Sequence, residues 1–115
     1  MSIETHIWSE PPDDLILIPE TVDVWLFSLR QSSFLLQQMH KILSSDEKLK
    51  ASRLKSAARD HFIFSRGITR TLLGKYLNKE PGGLIFKKDT HGKPRLDILS
   101  SHLAKQPLYF NISHS

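Results

Sequence analysis

Apolar positions along the chain recur with two different periods, which predict strands separated by helices. Residues 22–29 place valine, tryptophan, leucine and phenylalanine on both faces of an extended segment, so we expect a buried, central strand. Residues 1–21 are instead rich in proline and acid. This composition is typical of an extended arm that wraps a domain, and it gives a first division of the chain into an arm, 1–21, and a domain, 22–115.

Helical spacing follows in residues 33–43 and again from residue 44 to about residue 78. Ser44, with Glu47 three positions later, fits a capping box and predicts a helix start. The length of this segment predicts a break or kink somewhere within it, and Gly67 and Gly74 weaken the case for one straight helix. One face of this segment is apolar and carries Leu54, Phe62, Ile68, Leu72, Leu73 and Tyr76.

The remaining residues predict short strands around turns. Pro-Gly-Gly at 81–83 ends the helix, and residues 84–88 and 93–96 flank a turn. Residues 97–106 predict a loop or short helix, and the apolar run at 108–110 predicts a last buried strand. A strand followed by helices and then strands gives an α+β fold.

Charge is distributed unevenly along the 115 residues. The net charge is +4, but residues 48–95 hold 13 basic and 3 acidic residues, whereas the remainder holds 3 basic and 9 acidic residues. The middle of the chain is therefore expected to face a phosphorylated small molecule, a nucleic acid or an acidic protein. The alternative is a solvated basic helix face.

Several classes of protein are disfavoured by composition. The chain has no cysteine, which excludes disulfides and thiolate metal sites. No apolar run reaches the length of a membrane span, and the first residues lack the basic and apolar regions of a secretory signal. We therefore expect a cytoplasmic protein without a membrane partner.

Two polar clusters predict an anion site. His-Gly-Lys-Pro-Arg at 91–95 holds Lys93 between glycine and proline, and Ser113 and His114 follow the last predicted strand. Adjacent strand residues point to opposite faces, so Ser113 and His114 fit phosphate ligands better than a nucleophile and its base. The alternatives are a solvated lysine and an exposed histidine.

The basic helix offers further candidates. Arg66 and Arg70 lie one turn apart and are placed to grip one phosphate, or to lie along the helix surface. The basic region has no paired carboxylates, no paired histidine ligands and no glycine-rich nucleotide loop. We therefore expect neither catalytic nor metal-binding residues in this chain.

The motifs resemble those of the 4′-phosphopantetheinyl transferases of the surfactin-synthetase-activating type, over residues 22–115. The matching segments, in order, are residues 45–54, 64–73, 91–95 and Phe-Asn-Ile-Ser-His-Ser at 110–115. The resemblance implies transfer of the phosphopantetheine arm of coenzyme A to a serine of an acyl or peptidyl carrier protein, with Mg²⁺. It also implies one half of a pseudo-dimeric α+β fold, with a small antiparallel sheet packed on a long helix.

The resemblance carries over to single residues. Lys50 resembles the basic residue that meets the adenosine 3′-phosphate of coenzyme A, and Lys93 with Pro94 resembles the segment along the nucleotide. Ser113 and His114 resemble the residues at the 3′-phosphate and pyrophosphate. Arg66 matches a basic helix position of the family.

The sequence departs from the family pattern at its end. In the family, the metal-binding acids and the glutamate that activates the carrier serine follow the Ser-His-Ser motif, whereas this sequence ends at Ser115. We therefore expect an N-terminal half that is inactive alone, and that needs a missing C-terminal half or self-association. The alternatives are a basic nucleic-acid-binding module, which the absence of a recognised binding motif disfavours, and an inert structural half.

Overall fold

Three helices and four short strands make up the computed structural model. It describes residues 2–8, 15–16, 18, 20–28, 30–96 and 110–112. In chain order the elements are β1 (Ser2–Ile7), β2 (Thr21–Leu26), α1 (Ser33–Lys41), α2 (Ser45–Ser52), α3 (Ser56–Leu77), a 3-10 turn (Pro81–Gly83), β3 (Phe86–Lys88) and β4 (Pro94–Leu96). This mixture of helices and small sheets confirms the α+β fold.

The strands form two separate pairs within the described residues. β3 pairs with β4 in the expected antiparallel sense, whereas β1 and β2 are parallel, so an antiparallel sheet is wrong for this pair. The proline and acid of the predicted arm lie after β1, which is why composition did not reveal a strand in residues 2–7. The division at residue 21 stays a prediction.

The predicted central position of β2 is not seen among the described residues, where β2 pairs with β1 alone. Val22 and Leu26 are 43% and 53% exposed. Ile3 and Ile7, which lie opposite them in β1, are more exposed still. Trp25 on the other face is half-buried, packs against the core and donates its indole N–H to Tyr76 of α3. Apolar residues on both faces of β2 therefore do not mean that both faces are covered.

The helix signals locate the helices well. The capping box is confirmed: Ser44 Oγ accepts from the Glu47 N–H at 3.2 Å, and Glu47 Oε1 accepts from the Ser44 N–H at 2.9 Å. The expected break lies between α2 and α3, not at Gly67 or Gly74, which are both helical. Gly67 lies against α1, where a Cβ atom would be 2.5 Å from Met39 Cβ.

The centre of the core is the part of α3 that begins at its second turn. Its residues Ile63, Phe64, Ile68 and Leu72 join one buried cluster with Trp8, Met39, Leu43 and Ala51. Leu73 and Leu77 join a second cluster with Leu84, against which the β3–β4 hairpin packs. The long helix is thus the element on which α1, α2 and the hairpin are positioned. No helix among the described residues is both long and apolar enough to cross a membrane.

Candidate functional site

A groove of about 600 Å³ lies where α2, the first half of α3, the hairpin and residues 110–112 meet. Its volume falls within the range of about 300–1,000 Å³ that small-molecule sites occupy. Four of the predicted site residues, Lys50, Arg66, Lys93 and Pro94, line this groove. They come from three elements that are far apart in the sequence, and the fold brings them to one place.

Two of these cations flank one aromatic ring. The ammonium of Lys50 lies 5.2 Å from the ring centroid of Phe62, and the guanidinium of Arg66 lies 5.4 Å from it. Both distances are within the range of a cation–π interaction. Phe62 therefore holds a lysine of α2 and an arginine of α3 near each other in the groove wall.

Arg66 is half-buried, which affects its electrostatics. Burial lowers the pKa of Arg66, as does repulsion by Arg70, whereas attraction by Glu47 raises it. A guanidinium stays protonated in proteins despite such a shift. The groove therefore contains a partly desolvated cation, whose burial cost an incoming anion would offset.

The turn between β3 and β4 fixes the backbone at Lys93. Asp89 Oδ1 accepts from the backbone N–H groups of Lys93, at 2.9 Å, and of His91, at 2.8 Å. The Lys93 N–H bond is the largest cause that lowers the pKa of Asp89. Gly92 has a φ of +77°, in the left-handed region that favours glycine. The Gly-Lys-Pro motif is therefore a shaped turn that presents Lys93 at the groove.

Residues 110–112 close the groove beside the hairpin. The Arg95 guanidinium donates to the Phe110 carbonyl at 2.9 Å, and the Phe110 and Phe86 rings meet edge to face. Asn111 and Ile112 also line the groove. Ser113 and His114 follow directly in the sequence but lie outside the described residues, as do Leu108 and Tyr109 of the predicted last strand, so their roles stay predictions.

Arg70 does not join Arg66 in the groove, so its predicted roles as a phosphate ligand or a surface side chain are wrong. It is 2% exposed and donates to Glu47 Oε1, at 2.7 Å, and to the carbonyls of Pro81 and Leu84. Spacing of one turn correctly places both arginines on one side of α3. It does not reveal that this side of α3 lines the groove at Arg66 and enters the core at Arg70.

Among the groove residues that the sequence prediction did not name as site residues are three polar or aromatic residues of α3. His61, Phe62 and Ser65 line the groove, although Phe62 was assigned to the apolar face of the helix. A signal was present, because residues 58, 61, 62, 65 and 66 share one helical face that ends at the basic Arg66. The groove thus adds an imidazole and a hydroxyl to its cations.

The groove suits an anion better than a metal ion. Among the described residues, no group of three or more His, Asp or Glu side chains is placed to hold a metal. Mg²⁺ prefers carboxylate and water oxygens, and the groove instead presents lysine and arginine. The described residues therefore do not fit a Mg²⁺ site, whereas their positive charge suits an anion.

Comparisons with known proteins agree with the motifs. No protein-family model matches the chain, and no solved structure matches it significantly. The chain is 40% identical, over 111 residues, to the 4′-phosphopantetheinyl transferase HetI of Nostoc sp. (strain PCC 7120). The match covers 96% of this chain and 46% of that protein, so the chain spans about half the length of its curated relative. This similarity confirms the predicted relationship of the chain to the 4′-phosphopantetheinyl transferase superfamily, while the surfactin-activating type stays a prediction.

Proposed function

We propose that this chain forms the coenzyme A-binding part of a 4′-phosphopantetheinyl transferase. The enzyme would transfer phosphopantetheine from coenzyme A to a serine of an acyl or peptidyl carrier protein in the cytoplasm. The observation that carries this proposal is the convergence of Lys50, Arg66 and Lys93 on one groove. The sequence similarity to a transferase of this superfamily supports it independently.

The proposed chemistry assigns charge neutralisation to this chain. Coenzyme A carries a 3′-phosphate and a pyrophosphate, and the groove presents cations from α2, α3 and the hairpin. The carrier serine oxygen would attack the phosphorus next to pantetheine, and adenosine 3′,5′-bisphosphate would leave with the electrons of the broken P–O bond. The groove cations would orient the pyrophosphate for this attack.

Other groups are needed to complete the reaction. When bound, Mg²⁺ would neutralise further charge on the pyrophosphate, and a carboxylate would accept the proton of the serine. We assign the carboxylates that would bind Mg²⁺ and accept the proton to segments like those in the other half of the Nostoc relative. The alignment with this chain does not cover that half. In this proposal, the chain alone binds coenzyme A without transferring its arm.

Calorimetric titration with coenzyme A tests the binding proposal. Lys50→Met and Lys93→Met each remove one groove cation, and each is expected to weaken binding about 10-fold, because a charged hydrogen bond contributes roughly 1.5–3 kcal/mol. Lys41→Met is the matched control, since Lys41 is exposed at the end of α1 and does not line the groove. Equal losses in all three variants would show that only net charge matters.

The salt dependence of binding separates this proposal from the nucleic-acid alternative. Affinity for an oligonucleotide that neutralises many phosphates falls steeply with salt concentration. Coenzyme A binding is expected to fall less steeply and to weaken when the ligand lacks its 3′-phosphate. Stronger binding of DNA or RNA than of coenzyme A at moderate salt would favour the alternative.

The transfer step has its own test. Apo carrier protein is incubated with this chain, coenzyme A and Mg²⁺, and its intact mass is measured. The mass is expected to stay unchanged with this chain alone and to rise by one phosphopantetheine group with the Nostoc relative. A rise with the chain alone would refute the assignment of the acids to other segments.

A further inference from the structure

We propose that Arg70 is a positioning residue that fixes the distance between the groove cations Lys50 and Lys93. This inference rests on the proposed function. Arg70 does not line the groove, and its side chain is 2% exposed. Its bonds nevertheless reach α2, which carries Lys50, and the segment that leads into the hairpin that carries Lys93, while Arg70 itself lies one turn from Arg66 on α3.

The first connection runs to α2. Arg70 Nε donates to Glu47 Oε1 at 2.7 Å, and the same oxygen accepts from the Ser44 N–H in the capping box. Glu47 is 12% exposed, so water screens this ion pair only weakly. The bond therefore fixes the start of α2 on α3. Lys50 lies one turn further along α2, so its position over the groove depends on this attachment.

The second connection runs to the β3–β4 hairpin. Arg70 Nη1 donates to the Pro81 carbonyl at 2.9 Å and to the Leu84 carbonyl at 2.7 Å. Its guanidinium also lies 4.8 Å from the ring centroid of Phe86, the first residue of β3. These contacts fix the segment that leads into the hairpin, and hence the placement of Lys93 at its turn.

The chemistry of the arginine side chain suits this role. A guanidinium presents five donors in a planar fork, so one side chain can bond a carboxylate and two carbonyls in fixed directions. A lysine ammonium is a compact charge on a flexible stem and cannot reproduce this arrangement. Around metal sites, groups that orient the ligating residues typically change affinity about 10- to 100-fold when removed, and we expect an effect at the lower end of this range here.

A distance measurement tests the proposal without any ligand. The chain has no cysteine, so spin labels at Lys50→Cys and Lys93→Cys are the only two labels present. We expect one narrow distance distribution in this background. Arg70→Met is expected to broaden it, whereas Arg66→Met, one turn earlier on the same helix, is expected to leave it narrow.

Coenzyme A affinity, measured with Lys50 and Lys93 intact, completes the test. Arg66→Met and Arg70→Met are both expected to lose about 10-fold in affinity, but only Arg70→Met also broadens the distance. If Arg70→Met does not fold, Arg70→Lys replaces it and is expected to broaden the distance partially, with circular dichroism confirming that it is folded.

The outcomes distinguish this inference from the proposed function. A folded Arg70 variant with an unchanged distance distribution would overturn the positioning role, whatever its affinity. A wild-type chain that does not bind coenzyme A would overturn the proposed function. In that case a broadened distance in the Arg70 variants would still support Arg70 as the residue that positions Lys50 and Lys93.

Discussion

Each half of α3 contains an arginine that differs from the other in its surroundings: Arg66 faces the groove and Arg70 is buried. Residues 56–66 mix exposed, half-buried and buried positions and end at Arg66 in the groove wall, whereas residues 67–77 are mostly buried and contain Arg70. Arg70 donates to a carboxylate and two carbonyls, and its guanidinium lies over an aromatic ring of the protein itself. The Arg66 guanidinium instead lies near the Phe62 ring, is attracted by the Glu47 carboxylate and faces the open groove. An arginine is therefore available to a ligand when the surrounding chain leaves its donors unused.

The largest effect on stability is expected at Arg70. Replacing it by methionine removes the cation paired with the Glu47 carboxylate and one donor to each of two carbonyls, so the free energy of unfolding should fall by about 3–5 kcal/mol. Urea unfolding followed by circular dichroism measures this change. If Arg70→Met lowered the free energy of unfolding as little as Arg66→Met, the two halves of α3 would not differ in the way described.

Tyr76, in the buried half, is expected to come next. Its hydroxyl donates to Asp23 Oδ2 at 2.5 Å and accepts from Trp25 Nε1 at 3.0 Å, which ties α3 to β2. Tyr76→Phe removes both bonds and should cost about 1–3 kcal/mol of unfolding free energy, by the same urea experiment. Asp23→Asn, which keeps an acceptor oxygen, is the milder comparison and should cost less.

The same tyrosine gives the stability a pH dependence. Burial, followed by the bond to Asp23, raises the pKa of Tyr76 above its ordinary value of 10.0. The neutral hydroxyl is thus favoured in the folded state, so its contribution is complete below about pH 10 and is lost as the pH rises further. The stability difference between wild type and Tyr76→Phe should shrink above pH 10. A difference that grows with pH would mean that the sign of the shift is wrong.

Gly67 marks the boundary between the two halves and should show a smaller effect. A Cβ atom there would lie 2.5 Å from Met39 Cβ, so α1 must move away from α3. Such overpacking costs about 1–3 kcal/mol, while alanine gains about 1 kcal/mol in helix propensity. Gly67→Ala should therefore lower the unfolding free energy by up to about 2 kcal/mol. Gly67→Ala with Met39→Ala, which opens space, should recover part of the packing strain in a double-mutant cycle.

Arg66 should have the smallest effect on stability. Arg66→Met loses the attraction of Glu47 but also removes the burial cost and the repulsion by Arg70. These terms oppose one another, so we expect a change within about 0.5 kcal/mol in urea unfolding. The same variant should lose coenzyme A affinity. A strongly destabilised Arg66→Met would show that this arginine belongs to the scaffold as well.

Local signals in the sequence predicted local features of the structure. The capping box at Ser44 located the start of α2, because its two bonds join residues three positions apart. The Gly-Lys-Pro motif predicted the turn at Lys93, because glycine readily adopts a positive φ and proline restricts the backbone of the residue before it. The resemblance to a family selected four residues that line one groove, although they are far apart in the sequence.

Features that depend on distant segments were not predicted. The parallel pairing of β1 with β2 joins residues nineteen positions apart, and composition in between suggested only an extended arm. The burial of Arg70 depends on Glu47, which lies in another helix, and on carbonyls beyond the end of α3. Helical periodicity identifies a face but not the element that covers it, so Arg66 and Arg70 looked equivalent in the sequence.

Lysine footprinting tests the central claim, that coenzyme A binds in the groove, most directly. The chain is acetylated briefly with and without saturating coenzyme A, and modification at each lysine is measured by mass spectrometry. Lys50 and Lys93 line the groove, whereas Lys41 and Lys88 are exposed and do not line it. We predict that coenzyme A protects Lys50 and Lys93 and leaves Lys41 and Lys88 unchanged. Protection of the second pair alone, or of none of the four, would contradict the assignment of the groove as the coenzyme A site.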